Sequence, residues 1–174
     1  MLSGHIMGSF LTLISKLVSP SRILEIGAYT GYSAICMARG LAPGGKLITI
    51  EANDELRATA ISFFRKAKLE DRIDLINGDA RLILKNMTGP FDLVFMDANK
   101  EEYSEYYQLI IDKVKPGGYI LTDNVLWGGK VLDHREADSS TRAIQEFNRM
   151  VTEDSAVENL ILPIRDGIMV IRKL

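Results

Sequence analysis

The chain has few soft metal ligands or redox side chains: its 174 residues include one cysteine, Cys36, and two histidines, His5 and His134. A lone cysteine excludes an intrachain disulfide. Its place on the apolar side of the expected first crossover helix makes it a buried structural thiol, which fits a reducing, cytoplasmic setting. The three residues have no spacing that suits zinc. Neither sign of charge dominates, and a formal net charge of −2 gives no global attraction to nucleic acid or to an anionic membrane surface. No apolar run is long enough to span a bilayer. Residues 1–20 place Ile6, Phe10, Leu13 or Ile14, and Leu17 at helical spacing, with Lys16 interrupting, and so read as an amphipathic helix that packs on the sheet or on another subunit. This segment has neither the cationic start nor the small-residue cleavage site of a secretory signal. Repeats and linkers are missing, as is the Gly-x-Gly-x-x-Gly that brings backbone against a pyrophosphate. A dinucleotide cofactor is therefore disfavoured.

What is present suits one domain over residues 1–174, since 47% hydrophobic and 25% charged content supply one sizeable core. Strand-length apolar runs occur at 22–26, 46–50, 73–76, 91–96 and 119–122, and stretches of helical character at 33–39, 54–68, 80–86 and 101–114 lie between them. Pro43-Gly44-Gly45, Gly89-Pro90 and Pro116-Gly117-Gly118 punctuate the units. Alternation of this kind predicts right-handed crossovers and a parallel sheet with helices on both faces. A further helix is expected at about 140–151, then closing runs at 159–163 and 168–172 joined through Asp166-Gly167. These runs make an antiparallel hairpin at one edge, for seven strands in all.

The most informative stretch is Leu24-Glu25-Ile26-Gly27-Ala28-Tyr29-Thr30-Gly31-Tyr32-Ser33, with Glu51 ending the next strand. Gly27 and Gly31 permit close approach of backbone to a ligand, the helix start offers unpaired N–H groups, and Glu51 can accept from ribose hydroxyls. Ligands of open sheets bind beyond the carboxyl ends of the strands. Gly27, Glu51, Asp79, Asp97 and Asp123 all fall there, on five different strands.

Asp97, Asp123 and Asn124 form an oxygen-only set that suits Mg²⁺ or another hard divalent ion such as Mn²⁺ or Ca²⁺. The same residues also read as a helix cap and a turn. Lys100, three residues after Asp97, is either an ordinary solvated lysine or a general base over the metal, a role that needs burial and the ion to favour its neutral form. Asp79 either caps the next helix or presents a carboxylate to a base. Tyr32 and Trp127 are packing residues or walls for a flat aromatic substrate.

With these residues assembled, the chain resembles the cation-dependent class I S-adenosylmethionine O-methyltransferases, the group that contains catechol O-methyltransferase and plant caffeoyl-CoA O-methyltransferase, and it is most similar to the bacterial members. The resemblance runs through Ser3-Gly4-His5, residues 23–33, Asn77-Gly78-Asp79-Ala80, Asp97-Ala98-Asn99-Lys100 with Tyr103, Thr122-Asp123-Asn124-Val125-Leu126-Trp127, and Leu162-Pro163-Ile164-Arg165-Asp166-Gly167. It implies a Rossmann-like methyltransferase fold. Glu25, Gly27, Tyr29 and Ser33 would surround the methionine part of the cofactor, Glu51 the ribose, and Asp79 and Ala80 the adenine, with Gly31 in the same loop. Asp97 would serve both cofactor and metal, alongside Asp123 and Asn124, with Lys100 as base. The implied reaction methylates one hydroxyl of a small catechol-like or caffeoyl-type vicinal diol, and the implied assembly is a homodimer. Family members carry a longer helical cover before the segment matching residues 1–4, so a shorter form or a fragment is expected here. A second reading makes the chain a non-catalytic S-adenosylmethionine-binding module for assembly or regulation.

Overall fold

The computed structural model describes residues 4–132 and 138–174. Ser3 and His134 lie outside the described residues. Helix α1 (Gly4–Val18) leads into an alternation of β1 (Arg22–Ile26), α2 (Tyr32–Ala38), β2 (Lys46–Glu51), α3 (Arg57–Lys66), β3 (Ile73–Asn77), α4 (Ala80–Asn86), β4 (Phe91–Met96), α5 (Tyr103–Ile110) and β5 (Val114–Asp123). The chain then forms α6 (Ser139–Glu153), β6 (Val157–Leu162) and β7 (Ile168–Lys173). Short 3-10 turns precede α3 and α5, so both expected helices begin more tightly wound than α.

The seven strands order as β3-β2-β1-β4-β5-β7-β6. All pairings among β1 to β5 are parallel, and β7 runs antiparallel to both β5 and β6. The expected hairpin edge is present, but β7 lies inside it, so β6 regains the direction of β5. The central strands read as continuous apolar runs because both faces are covered. Leu24, Ile26, Val94, Met96 and Ile120 pack with α4, α5 and α6, while Ile23, Leu93, Phe95 and Leu121 pack with α1, α2 and α3. Phe147 of α6 meets the Tyr103 ring edge-on at 5.5 Å between centroids.

Two elements differ from the sequence expectation. Strand β5 begins at Val114, where a helix end was expected, because Val114 pairs with Phe91 across a bulge that contains the Pro116-Gly117-Gly118 turn. In α1, the face against the body of the protein carries Met7, Gly8, Leu11 and Ser15, whereas Ile6, Leu13 and Leu17 are exposed. Small residues decide this. A Cβ on Gly8 would stand 2.7 Å from Tyr32 Cε1, and Ser15 Oγ donates to Met37 O at 2.6 Å, so α1 lies too close to α2 for large side chains between them. Cys36 is buried in that contact.

Candidate active site

A cleft of about 1070 Å³ opens at the carboxyl ends of β1 to β5. Gly27, Glu51, Asp79, Asp97 and Asp123 all line it. Sheet topology causes this convergence: the order reverses at the β1–β4 boundary, the connecting loops diverge there, and a crevice remains between them.

At one end the β1–α2 loop passes directly over the end of β4. Gly27 has φ +100°, and a Cβ there would stand 2.7 Å from Asp97 C and closer still to its carbonyl oxygen. No other residue fits without moving β4. The next residues fasten to β2: Tyr29 N–H donates to Glu51 Oε2 at 2.6 Å, and Asn53 N–H donates to Glu51 Oε1 at 2.9 Å. Each Glu51 oxygen retains further acceptor capacity and the residue lines the cleft, so the carboxylate can accept from a diol such as ribose. Asp79 caps α4 by accepting from Arg81 N–H at 2.8 Å, and its other oxygen accepts from Arg81 Nη2 at 2.7 Å. Those bonds hold its carboxyl down to about 2. Arg81 reaches on to Glu102 at 3.5 Å, and Tyr106 Oη donates to that same carboxylate, which closes this end with a polar chain.

The other end is acidic and drier. Lys100 Nζ sits 2.7 Å from both Asp97 Oδ1 and Tyr103 Oη, with its side chain only 12% exposed. Tyr103 Oη in turn donates to the carbonyl of Asp123 at 3.0 Å, so the lysine is held by a buried phenol fixed to two strand ends. Burial and the Asp97 charge push the Asp123 carboxyl up to about 6. Two carboxylates thus face each other where solvent cannot relieve them and one ammonium offsets them. Asn124, at φ +62°, donates from Nδ2 to Asp166 Oδ2 at 3.3 Å, which leaves its Oδ1 as an acceptor. Two repelling carboxylates and an amide oxygen fit a hard divalent cation. Among the described residues no cluster of three or more His, Cys, Asp or Glu side chains stands at ligating separation, which leaves this mixed carboxylate–amide set as the candidate.

Of the residues singled out from sequence, Gly27, Tyr29, Tyr32, Ser33, Glu51, Asp79, Ala80, Asp97, Lys100, Asp123, Asn124 and Trp127 line the cleft. Glu25 and Gly31 do not. Glu25 is fully buried beneath it and accepts from Thr49 Oγ1 at 2.5 Å, and burial raises its carboxyl to about 7. Gly31 has its Cα against the Phe64 ring, where a Cβ would come within 2.8 Å of Cζ. Trp127 lines the cleft, and its Nε1–H is buried without a partner among the described residues. Tyr32 both packs on α1 and forms part of the wall.

Sequence reasoning overlooked Asp166, Arg165 and Arg81. Asp166 read as a turn residue, yet it clamps two loops: its Oδ1 accepts from Gly128 N–H, and its carbonyl accepts from Leu126 N–H at 2.9 Å. An aspartate in a turn carries no sequence signal for a partner 38 residues away.

Sheet order and cleft together define the Rossmann-like methyltransferase fold class. The sequence profile described as O-methyltransferase matches residues 1–174. A catechol O-methyltransferase of Niastella koreensis is 38% identical over 159 residues, covering 89% of this chain and 72% of the relative. A caffeoyl-CoA O-methyltransferase of Medicago sativa is 32% identical, covering 96% of this chain and 72% of its own length. The crystal structure of an O-methyltransferase from Bacillus cereus in complex with SAH superposes with a TM-score of 0.94 at 30% identity, covering 99% of this chain and 83% of that one. TomG from Streptomyces achromogenes, an O-methyltransferase solved with SAM, gives 0.93 at 31% identity over 99% of this chain and 81% of its own. The chain belongs to the O-methyltransferase family, whose members are S-adenosylmethionine-dependent enzymes.

Proposed function

We propose that the protein transfers the methyl group of S-adenosylmethionine to one hydroxyl of a vicinal aromatic diol, catechol-like or caffeoyl-like, with a divalent cation held by Asp97, Asp123 and Asn124. The observation that carries this reading is the convergence in one cleft of a nucleoside-type cradle, Gly27 with Glu51, and a half-buried Lys100 paired with Asp97 next to Asp123. Tyr29 and Glu51 support cofactor binding because the backbone already orients the carboxylate, so little ordering remains to be done on binding. The Gly27 cradle leaves space where any side chain would intrude.

The sulfonium cofactor supplies an electrophilic methyl group, and Mg²⁺ or a similar ion supplies the positive charge that favours one substrate oxygen as an oxyanion. The protein contributes position. Asp97, Asp123 and Asn124, the last on the left-handed turn after β5, would hold that cation. Lys100, fixed between Asp97 and Tyr103, would take the hydroxyl proton as the neutral amine, the form that a cation sharing Asp97 would favour. Trp127 and Tyr32 would flank the ring.

The test is methyl transfer from labelled cofactor to catechol in the presence of Mg²⁺, with and without chelator and with Asp97→Asn. Turnover should disappear in both cases while S-adenosylhomocysteine still binds by calorimetry; full turnover in excess chelator rejects the metal reading. The homodimer rests on the exposed apolar stripe of α1, Ile6, Leu13 and Leu17. Among the described residues no helix is long and apolar enough to cross a membrane. The buried free Cys36 supports a reducing, cytoplasmic setting.

A further inference from the structure

Among the described residues three cationic side chains line the cleft: Arg81, Lys100 and Arg165. Arg81 is paired with Asp79 and Glu102, and Lys100 with Asp97. Arg165 is different. It is exposed, and among the described residues its guanidinium has no hydrogen-bond or ion-pair partner; its recorded influence is the long-range lowering it exerts on Asp123.

Its position is nonetheless fixed at some cost. Arg165 has φ +54°, a left-handed conformation that disfavours any residue with a Cβ. The neighbours hold it there. Gly167 N–H donates to Ile164 O at 3.0 Å, and Asp166 is fastened to Asn124, Leu126 and Gly128. The turn therefore cannot relax without releasing the loop that carries Asn124 and Trp127. The guanidinium also lies against the start of α1, since a Cβ on Gly4 would stand 3.1 Å from Arg165 Nη1. The first turn of a helix carries positive partial charge, so the guanidinium and the start of α1 place two positive features side by side.

We propose that Arg165 is an acceptor-specificity residue whose guanidinium binds a carboxylate carried by the vicinal diol. The proposal rests on the methyl-transfer reading above and names the substrate class within it: an aromatic diol bearing a carboxylate. A planar fork of N–H donors matches a carboxylate in two-point contact. The rest of the cleft opposes anions through Glu51, Asp97, Asp123 and Asp166. A negative substituent is thereby accepted in one orientation, with the carboxylate at Arg165 and the diol at the acidic end. A singly charged group suits this surrounding better than a phosphate dianion.

The experiment compares 3,4-dihydroxybenzoate with its methyl ester, which has the same diol without the charge. Binding is measured calorimetrically with Mg²⁺ and S-adenosylhomocysteine present, so no turnover is needed, and KM and kcat are measured separately with S-adenosylmethionine. The native protein should bind the acid about tenfold more tightly than the ester, as expected for one charge-assisted contact. In Arg165→Gln the ratio should fall to about one, and Arg165→Lys should keep part of it. Arg165→Gly should lose the preference while melting at a higher temperature, because glycine relieves the left-handed backbone; this separates specificity from folding. An acid-to-ester ratio that is unchanged in Arg165→Gln, or absent in the native protein, overturns the proposal while methylation of either compound leaves the reaction standing. An Arg165-dependent preference in binding without methylation of either compound upholds the site and refutes the reaction.

Discussion

Replacing Gly27 by alanine tests whether the β1–α2 loop must lie directly on the end of β4. The new Cβ would stand 2.7 Å from Asp97 C and closer still to its carbonyl oxygen, against an ordinary contact of about 3.4 Å, so the Asp97 peptide must move by more than about 0.7 Å. That peptide is bonded to β1 through Asp97 N–H to Ile26 O at 2.9 Å, and the shift strains this bond. Left-handed backbone on a residue with a Cβ costs roughly 1–2 kcal/mol, and overpacking against backbone roughly 1–3 kcal/mol. The sum is about 2–5 kcal/mol, or a fall in melting temperature of roughly 5–15 °C for a chain of this length. Gly128→Ala is the control, because Gly128 has φ +61° but nothing within 4 Å of its Cβ position. It should incur only the backbone share. Urea denaturation gives the stabilities, and calorimetry with S-adenosylhomocysteine gives the cofactor affinity, which should weaken in Gly27→Ala alone. If both variants lose the same stability and bind equally well, the close crossing is not what requires glycine at position 27.

Lys100→Met should lower kcat by about 10²–10⁴-fold, the usual weight of a positioned acid–base group, with little change in cofactor affinity, as read by single-turnover assays. Glu25, raised from 4.5 to about 7, takes up a proton on folding between those values, so stability falls as pH rises through that window and the full penalty is present above about 7. The difference of about 2.5 units corresponds to roughly 3 kcal/mol between pH 4 and pH 8, and this share of the slope should vanish in Glu25→Gln, as measured by urea denaturation across pH. Leu13→Lys together with Leu17→Lys should convert a dimer to a monomer in light scattering; an unchanged mass removes the α1 stripe from the interface.

Much of the fold was legible because strand-length apolar runs and glycine–proline punctuation report directly on a sheet covered on both faces. The rim was legible for a similar reason: strand ends are visible as the last apolar residue before a carboxylate, as at Met96-Asp97 and Thr122-Asp123. What failed depended on long-range geometry. The helical spacing of Ile6, Phe10, Leu13 and Leu17 left the destination of α1 open, and the contact with α2 proved to use Gly8 and Ser15, residues that hydrophobicity does not mark. The start of β5 was hidden because Val114 pairs across a bulge. Arg81 and Asp166 act on partners brought near only by the finished sheet, and Arg165 is notable by a backbone angle that no sequence displays.

The reversal of strand order at the β1–β4 boundary has a consequence for how the gene can change. Groups proposed to cradle the cofactor's methionine and nucleoside, from Gly27 to Asp79, are encoded before α4 ends, and those proposed to hold the acceptor, Tyr32 apart, run from Asp97 to Asp166, after β4 begins. A single recombination within α4 between two homologous genes would exchange most of one reactant's site together and leave most of the other unchanged. New acceptors become reachable by shuffling, without rebuilding the machinery that delivers the methyl group.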